Sequence, residues 1–183
     1  DGIARKTWMA YQDDKILTDI LRYLYLEHEP VMGACVADCL FPLEIGMRVP
    51  AAVFDRFLIG YFGADPTKKT SQRLKSNLKL LGILERCRGE DDRLASPGPS
   101  KISLLILTHQ IFAPTEPRTI ELRHLLAKPF WKYLGFKSED EVRRILRDAD
   151  AAGLIGKYVV ADQLEQVTTC LTVDELLAKK ARL

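Results

Sequence analysis

The stretch of sequence that decides the fold covers residues 56–84 and reads RFLIGYFGADPTKKTSQRLKSNLKLLGIL. Its first half has apolar residues at helical spacing, and its second half predicts another helix, in which Leu74, Leu78 and Leu81 share one face. Gly82 ends this helix, and the residues after it alternate weakly between apolar and polar, as in a short strand. This order is typical of two consecutive helices that lead into a β-hairpin.

The second helix of this stretch carries a concentrated positive charge. Residues 64–88 contain seven basic and two acidic side chains, which is a local charge of +5. The whole chain has 27 basic and 25 acidic residues and a formal charge of only +2, so the remainder carries −3. The balanced total argues against a histone-like tail, but it conceals a basic stripe on one helix.

This basic helix is predicted to bind double-stranded DNA. A helix fits the major groove, where Lys and Arg neutralise phosphates while Arg, Gln and Ser reach base edges. The predicted phosphate contacts are Lys68, Lys69, Lys75 and Lys79, and the predicted base-reading residues are Gln72, Arg73 and Ser76. The alternative interpretation is an ordinary surface helix with a solvated, lysine-rich face.

A later stretch, residues 128–155, repeats the same order of signals and reads KPFWKYLGFKSEDEVRRILRDADAAGLI. Each stretch has an aromatic residue, an apolar residue and a glycine, followed by a helix that stops at a second glycine. A period of about seventy residues is typical of a duplicated small domain rather than of a solenoid. The sequence therefore predicts a mainly α fold of tandem winged-helix or helix-turn-helix-like modules with short β-wings. The alternative is a single all-helical bundle.

The predicted domains follow from a change in composition near the middle of the chain. Residues 1–92 are expected to form an N-terminal winged-helix-like module that contains the basic helix. Residues 93–100, rich in Pro, Ser and Gly, are expected to form a linker. Residues 101–183 are then a C-terminal winged-helix-like module with a hairpin and a terminal helix.

Several local patterns predict elements within the C-terminal module. Apolar spacing predicts a helix over residues 119–127. Capping-box sequences of the type S/T-x-x-E at Ser138 and Thr172 each predict the start of a helix. Between these two helices, β-branched and aromatic residues predict a hairpin over residues 154–171.

Residues capable of catalysis or metal binding are few and scattered. Cys35 and Cys39 stand at helical spacing, but no further Cys or His stands at the distance that a zinc site needs. The cysteines are therefore expected to be reduced thiols that fill space in the core. The sequence also lacks the Walker, dinucleotide-binding, nucleophile-elbow and HExxH motifs. We expect no catalytic residue, no metal site, no cofactor and no enzymatic activity.

The apolar stretches of the chain, such as residues 102–107, are far shorter than the roughly 20 residues that span a bilayer. The first residues also lack the apolar core of a secretory signal. We therefore expect a cytoplasmic protein with no membrane partner.

The tract from Phe54 to Leu84, with its RLKSNLKLLGIL helix, resembles the small BrxA-type accessory proteins of bacterial BREX phage-defence islands. The shared features are a Ser/Thr-rich entry, a basic R-L-x-S-N-L helix and a G-[IL]-L exit. The resemblance implies a largely helical, non-enzymatic DNA-binding accessory protein of antiviral defence, which works with larger methyltransferase and ATPase subunits. The positions that it implies for this role are Arg73, Lys75, Ser76, Asn77 and Lys79.

The alternative function is a protein–protein assembly adaptor that uses its winged-helix modules without binding DNA. Its anchor would be the aromatic cluster Phe130, Trp131, Tyr133 and Phe136, since aromatic residues dominate interface hot spots. The same side chains are equally consistent with a place in the core. The second module favours this alternative more than the first, because residues 137–157 carry five basic and five acidic side chains and no net charge.

Overall fold

The chain begins with two helices, α1 (Ile3–Tyr11) and α2 (Asp14–His28). The computed structural model describes residues 2–87, 91–161, 164–180 and 183. It separates the chain into two units, one formed by Leu24–Gly98 and the other by Asp1–Tyr23 together with Pro99–Leu183. We call them the inner unit and the outer unit by their order in the sequence. The first is one continuous segment, which is inserted in the sequence between the two segments of the second.

The inner unit combines short helices with a three-stranded antiparallel sheet. The sheet has the strand order β1-β3-β2, so the strand that comes last in the sequence is the central one. After the end of α2, its elements are α3 (Pro30–Ala34), a π-helical turn (Cys35–Leu40), β1 (Arg48–Val49), α4 (Ala51–Phe62), α5 (Lys68–Leu80), β2 (Leu84–Arg86) and β3 (Asp92–Leu94).

Local chemistry explains the boundaries of α4 and α5. Gly63 ends α4 in the left-handed conformation, with φ +69°, which favours glycine because it has no Cβ. Thr67 caps α5, because its Oγ1 accepts a hydrogen bond from the backbone N–H of Thr70 at 3.2 Å. Leu74 and Leu78 then point into the core of the unit, where they are buried. Five residues thus separate the two helices, and each helix is anchored by its apolar stripe.

The outer unit repeats this order of elements. Its sheet is again antiparallel, with the strand order β4-β6-β5, so that the last strand is central here as well. After α1 and the first part of α2, its elements are α6 (Lys101–Phe112), β4 (Thr119–Glu121), α7 (Leu122–Leu126), α8 (Phe130–Leu134), α9 (Glu139–Ala151), β5 (Lys157–Ala161), β6 (Leu164–Thr168) and α10 (Val173–Ala178).

The core of the outer unit is built around α6, whose residues from Ile102 to His109 are all buried. The N-terminus of α6 is fastened to Asp19 of α2, which also forms a buried ion pair within α2, where Arg22 Nη1 lies 2.9 Å from Asp19 Oδ1. The other carboxylate oxygen of Asp19 accepts hydrogen bonds from the Ser100 backbone N–H and the Ser103 hydroxyl. A buried carboxylate with three donors is stabilised, since its lone pairs are satisfied without water.

The prediction of a mainly helical protein with small antiparallel sheets is confirmed. The two sheets exclude the alternative of an all-helical bundle. The helix α4, in the first half of the 56–84 stretch, and the capping box at Thr172 also agree with the sequence patterns. At Ser138 the hydroxyl accepts the Glu141 backbone N–H at 3.1 Å, as its capping sequence predicts.

Other expectations differ from the structure. The predicted linker over residues 93–100 begins inside β3, because Leu94 is buried and pairs with Leu84 of β2. The predicted helix over residues 119–127 starts instead as β4, since its first three residues pair with β6. The units also differ from the predicted boundaries, because Asp1–Tyr23 belongs with Pro99–Leu183 rather than with the basic helix.

The aromatic cluster proposed as an exposed anchor lies in the core of the outer unit. Phe130, Trp131, Tyr133 and Phe136 are all buried. The Trp131 indole N–H donates to the Leu126 carbonyl oxygen at 3.0 Å, which satisfies its polar atom inside the protein. These side chains therefore cannot serve as an interface anchor in this fold. Across the described ranges, the helices fall short of the length and apolar character needed to cross a bilayer.

Candidate nucleic-acid interface

The outward face of α5 brings together five of the seven predicted DNA-binding residues. Leu74 and Leu78 fix the rotation of the helix, and at 100° per residue the side opposite them is centred near Ser76. The five predicted residues on that side are all exposed: Lys68, Lys69, Gln72, Arg73 and Ser76. The face therefore presents amide and hydroxyl groups in its middle, with cations on both flanks.

The three cations on this face are available to a ligand. Within the described part of the chain, Lys68, Lys69 and Arg73 form no ion pair. The α5 sequence itself contains five basic residues and no acidic one. An anion that approaches this face thus meets cations that form no ion pair among the described residues.

The remaining two predicted contacts, Lys75 and Lys79, are engaged within the protein. Lys79 Nζ lies 2.7 Å from Asp92 Oδ1, and Lys75 Nζ lies 3.8 Å from Asp92 Oδ2. Asp92 is only 3% exposed, and its Oδ2 has no hydrogen-bond donor among the described residues. The two ammonium groups therefore compensate a buried carboxylate, and their removal would leave that charge unpaired.

Asp92 lies beneath α5 because of its place in the sheet. It is the first residue of the central strand, where it pairs with Arg86 on one side and Val49 on the other. Along β3 the side chains alternate between the two faces, so Asp92 and Leu94 point inward while Arg93 points outward. Sequence reasoning missed this residue, although the alternation of Asp92 with Leu94 in a short strand would have placed both on one face.

The flank of α5 next to α4 is used for packing. The Ser71 hydroxyl donates to Asp55 Oδ1 at 2.6 Å, and this contact joins the two helices. A groove of about 510 Å³ lies between α4 and α5. Lys68, Gln72 and Lys75 share this groove with Asp55 and Asp65, so this side of α5 carries both signs of charge.

Asn77 also serves the fold of the inner unit. Its side-chain amide donates to the Tyr25 hydroxyl at 3.0 Å and approaches the Met32 sulfur at 3.8 Å. Of the five positions implied by the family resemblance, Asn77, Lys75 and Lys79 thus have partners inside the protein. Arg73 and Ser76 are exposed on the outward face.

The strands that follow α5 add cations outside the helix. Arg86 on β2 is exposed, and Arg93 on β3 lies 3.7 Å from Glu85 in an exposed ion pair. Arg88, counted in the local charge of +5, lies outside the described residues. The end of α5 carries an unexpected apolar residue, Leu80, whose side chain is 85% exposed.

In α9, the equivalent helix of the outer unit, positive and negative side chains occur together and contact one another. Its first turn is acidic and its three arginines face five carboxylates. Arg143 contacts Glu139 at 3.1 Å, Asp140 at 3.3 Å and Glu165 of β6 at 3.0 Å. The hydrogen bond to Glu165 is the main reason why the pKa of Arg143 is raised. Arg147 stacks on the ring of Tyr158, at 5.4 Å from its centroid.

The histidines do not converge on a site. His109 is fully buried, and burial lowers its pKa even though a Nδ1 contact with the Leu105 carbonyl oxygen opposes this effect. His28 lies at the exposed end of α2, where Nδ1 contacts the Leu24 carbonyl oxygen. Among the described residues, no group of three or more His, Cys, Asp or Glu side chains could hold a metal ion.

Comparison with known proteins leaves the site to be judged on its geometry. No protein-family model matches the sequence, and neither the curated proteins nor the solved structures include a significant match.

Proposed function

We propose that the inner unit is a winged-helix module that binds double-stranded DNA through the outward face of α5. The observation that carries the proposal is a set of three cations that form no ion pair with any described residue. They are Lys68, Lys69 and Arg73, and they flank the exposed Gln72 and Ser76. This arrangement suits a helix in the major groove, because Lys68 and Lys69 reach phosphates while Gln72, Arg73 and Ser76 meet base edges.

The order of elements around α5 supports this proposal. A helix, a strand, two helices and two further strands follow one another, and the last strand is central in the sheet. This is the order of a winged helix, in which the helix before the hairpin is the recognition helix. In this assignment α5 is the recognition helix, and the strands β2 and β3 belong to the wing.

The role that we propose is that of an accessory protein of a bacterial defence or DNA-modification system. It would bring larger subunits of a defence complex to DNA and perform no chemistry itself. The resemblance of the α5 tract to BrxA-type proteins supports this context. The outer unit is then available for protein contacts, since the cations Arg143 and Arg147 of α9 are engaged by its own hairpin.

The test is a binding titration with a labelled DNA duplex at several salt concentrations. The variant Lys68→Ala/Lys69→Ala/Arg73→Ala removes only cations that form no ion pair among the described residues. Each lost phosphate contact lowers the slope of log K against log salt by about 0.9, so loss of Lys68 and Lys69 should lower it by about 1.8, and by about 2.7 where Arg73 also contacts a phosphate. Affinity at about 0.1 M salt should fall roughly 100-fold or more.

A matched control removes the same charge from the outer unit. Lys128, Arg144 and Lys157 are exposed and, within the described residues, have no ion pair. The triple alanine variant at these positions should keep the slope of the unmodified protein. Equal losses in both variants would indicate binding by overall charge alone, and unchanged binding in the α5 variant would overturn the assignment.

Base reading requires a separate measurement. Gln72→Ala leaves the charge of α5 unchanged, so it should reduce the preference for a selected site over random duplex without altering the salt slope. Loss of one bidentate amide contact corresponds to about 1–3 kcal/mol of discrimination. A variant that binds both duplexes as the unmodified protein does would show that α5 contacts the backbone only.

A further inference from the structure

Two thiols meet in the π-helical turn that follows α3. Cys35 begins this turn and is fully buried, while Cys39 lies four residues later and is partly exposed. The two side chains interact, because each is the main cause of the other's shifted pKa, raised for Cys35 and lowered for Cys39. The pair therefore combines one thiol that an external reagent can reach with a second thiol held directly behind it.

The π-helical geometry affects how closely residues four apart approach each other. In an α-helix, side chains four residues apart have Cβ atoms about 5–6 Å apart, which is longer than the roughly 3.5–4.5 Å of a disulfide. In this turn the Phe41 N–H bonds the Val36 carbonyl oxygen, five residues back, at 2.9 Å. The wider turn stacks residues four apart more directly above one another, and such turns recur at functional sites.

The surroundings of the pair favour a thiolate on Cys39. The hydrogen bond from Cys35 is the main cause that lowers the pKa of Cys39 to about 7. The Arg56 guanidinium on α4 lowers it further, whereas partial burial and the neighbouring Asp38 act in the opposite direction. The pKa of Cys35 is raised, because its proton is held in the hydrogen bond to Cys39 and because the thiol is buried.

We propose that Cys39 is a site of oxidation by hydrogen peroxide and that Cys35 resolves the product to an intramolecular disulfide. In the first step the Cys39 thiolate attacks the peroxide, the O–O bond breaks and a sulfenic acid and hydroxide form. In the second step the Cys35 sulfur attacks the Cys39 sulfur, the S–O bond breaks and the hydroxyl leaves as water with the Cys35 proton. The two thiols lose two electrons, and the peroxide is reduced to two waters.

The experiment uses the complete protein and hydrogen peroxide as the oxidant. After exposure, free thiols are blocked with an alkylating reagent and the protein is digested with trypsin. Cys35 and Cys39 lie between Arg22 and Arg48 with no other Lys or Arg, so one tryptic peptide carries both. We expect this peptide to resist alkylation and to lack two hydrogen atoms, and both changes should reverse with a reducing agent.

Cys170 supplies an internal control, because it is exposed yet lies outside the pair. The proposal expects the disulfide to form at peroxide concentrations that leave Cys170 alkylatable. Two results would overturn it: oxidation of Cys170 while the pair stays reduced, or conversion of Cys39 to a sulfinic acid with no disulfide.

The variant Cys35→Ser separates the two steps. The serine hydroxyl can still donate to Cys39, so Cys39 should react but accumulate as a sulfenic acid, which a dione reagent traps. A variant with no trapped product and normal circular dichroism would contradict the assignment of Cys39 as the attacking thiol. If this variant does not fold, the unmodified protein decides the question alone. The inference does not depend on DNA binding, since it concerns the turn after α3 and not α5.

Discussion

α5 and α9 occupy the same place in the order of elements but use their charges in opposite ways. Each helix has thirteen residues, precedes a hairpin and has a side chain at its N-cap that accepts a backbone N–H. In α5 the cations outnumber the acids five to none, and three of them have no carboxylate partner among the described residues. In α9, Arg143 and Arg147 contact the hairpin and Arg143 also contacts neighbouring acids, while an acidic first turn opposes any approaching phosphate.

The difference also concerns how each helix is connected to its sheet. Below α5 the connection is a buried aspartate held by two partly exposed lysines. Beside α9 it is a partly exposed network in which Glu165 accepts from Arg143 at 3.0 Å and from the Tyr158 hydroxyl at 3.0 Å. The same topology is thus stabilised by a buried charge in one unit and by surface contacts in the other. Because Asp92 binds Lys75 and Lys79, the cations on the outward face of α5 are not used for this connection.

The largest effects are expected where the two helices are alike. Leu78 of α5 and Leu146 of α9 are both fully buried. Replacing either by alanine should lower the free energy of unfolding of its own unit by about 2–5 kcal/mol, because a cavity is left behind. Hydrogen exchange by mass spectrometry reads the two units separately. Loosening of both units by either variant would show that they unfold together.

A smaller effect should distinguish the two helix–sheet connections. Asp92→Asn removes a buried charge and leaves two lysines repelling each other, so we expect a loss of about 2–3 kcal/mol in the inner unit. Glu165→Gln acts on a partly exposed network and should cost about 1 kcal/mol or less. Chemical denaturation with a probe in each unit measures both losses. Equal losses would contradict the contrast between buried and surface charge.

The helix caps should have nearly equal and still smaller effects. The Thr67 hydroxyl accepts the Thr70 N–H at 3.2 Å, and the Ser138 hydroxyl accepts the Glu141 N–H at 3.1 Å. Alanine at either position should lower stability by about 1 kcal/mol. Faster amide exchange in the first turn of the affected helix would locate the effect, and an unaltered exchange pattern would show that the cap is dispensable.

The smallest expected effect is a loss of stability of the outer unit that is absent at neutral pH and develops only on acidification. Burial lowers the pKa of His109 in the outer unit, so the folded state keeps it neutral while the unfolded chain binds a proton near pH 6.5. Stability is therefore fully present above about pH 6.5 and should fall as the pH drops below that value. Urea midpoints between pH 7.5 and pH 5 measure this decline.

A control variant and a second probe sharpen the pH experiment. His124 is exposed, so His124→Gln should leave the decline unchanged. The inner unit contains only His28, at an exposed helix end, and should lose less stability over the same pH range. A decline confined to the inner unit would exclude His109 as its cause.

Much of the local structure could be predicted because its causes lie within a few residues. The glycine stop at Gly63 and the caps at Ser138 and Thr172 depend on neighbours three or four positions away. The basic face of α5 could be predicted for the same reason, since helical spacing alone places its lysines opposite Leu74 and Leu78. The short strands β1, β3 and β4 could not, because two or three residues give too little pattern to recognise.

The sequence by itself determined the helices, their caps and the excess of cations on α5. Only the tertiary structure decided which of those cations stay available, because Asp92 reaches Lys75 and Lys79 through the pairing of strands distant in sequence. It also placed the aromatic cluster around Trp131 in the core and brought Cys35 against Cys39 in a π-helical turn. Helical spacing sets the direction in which a side chain points, but burial and pairing depend on what the rest of the chain places there.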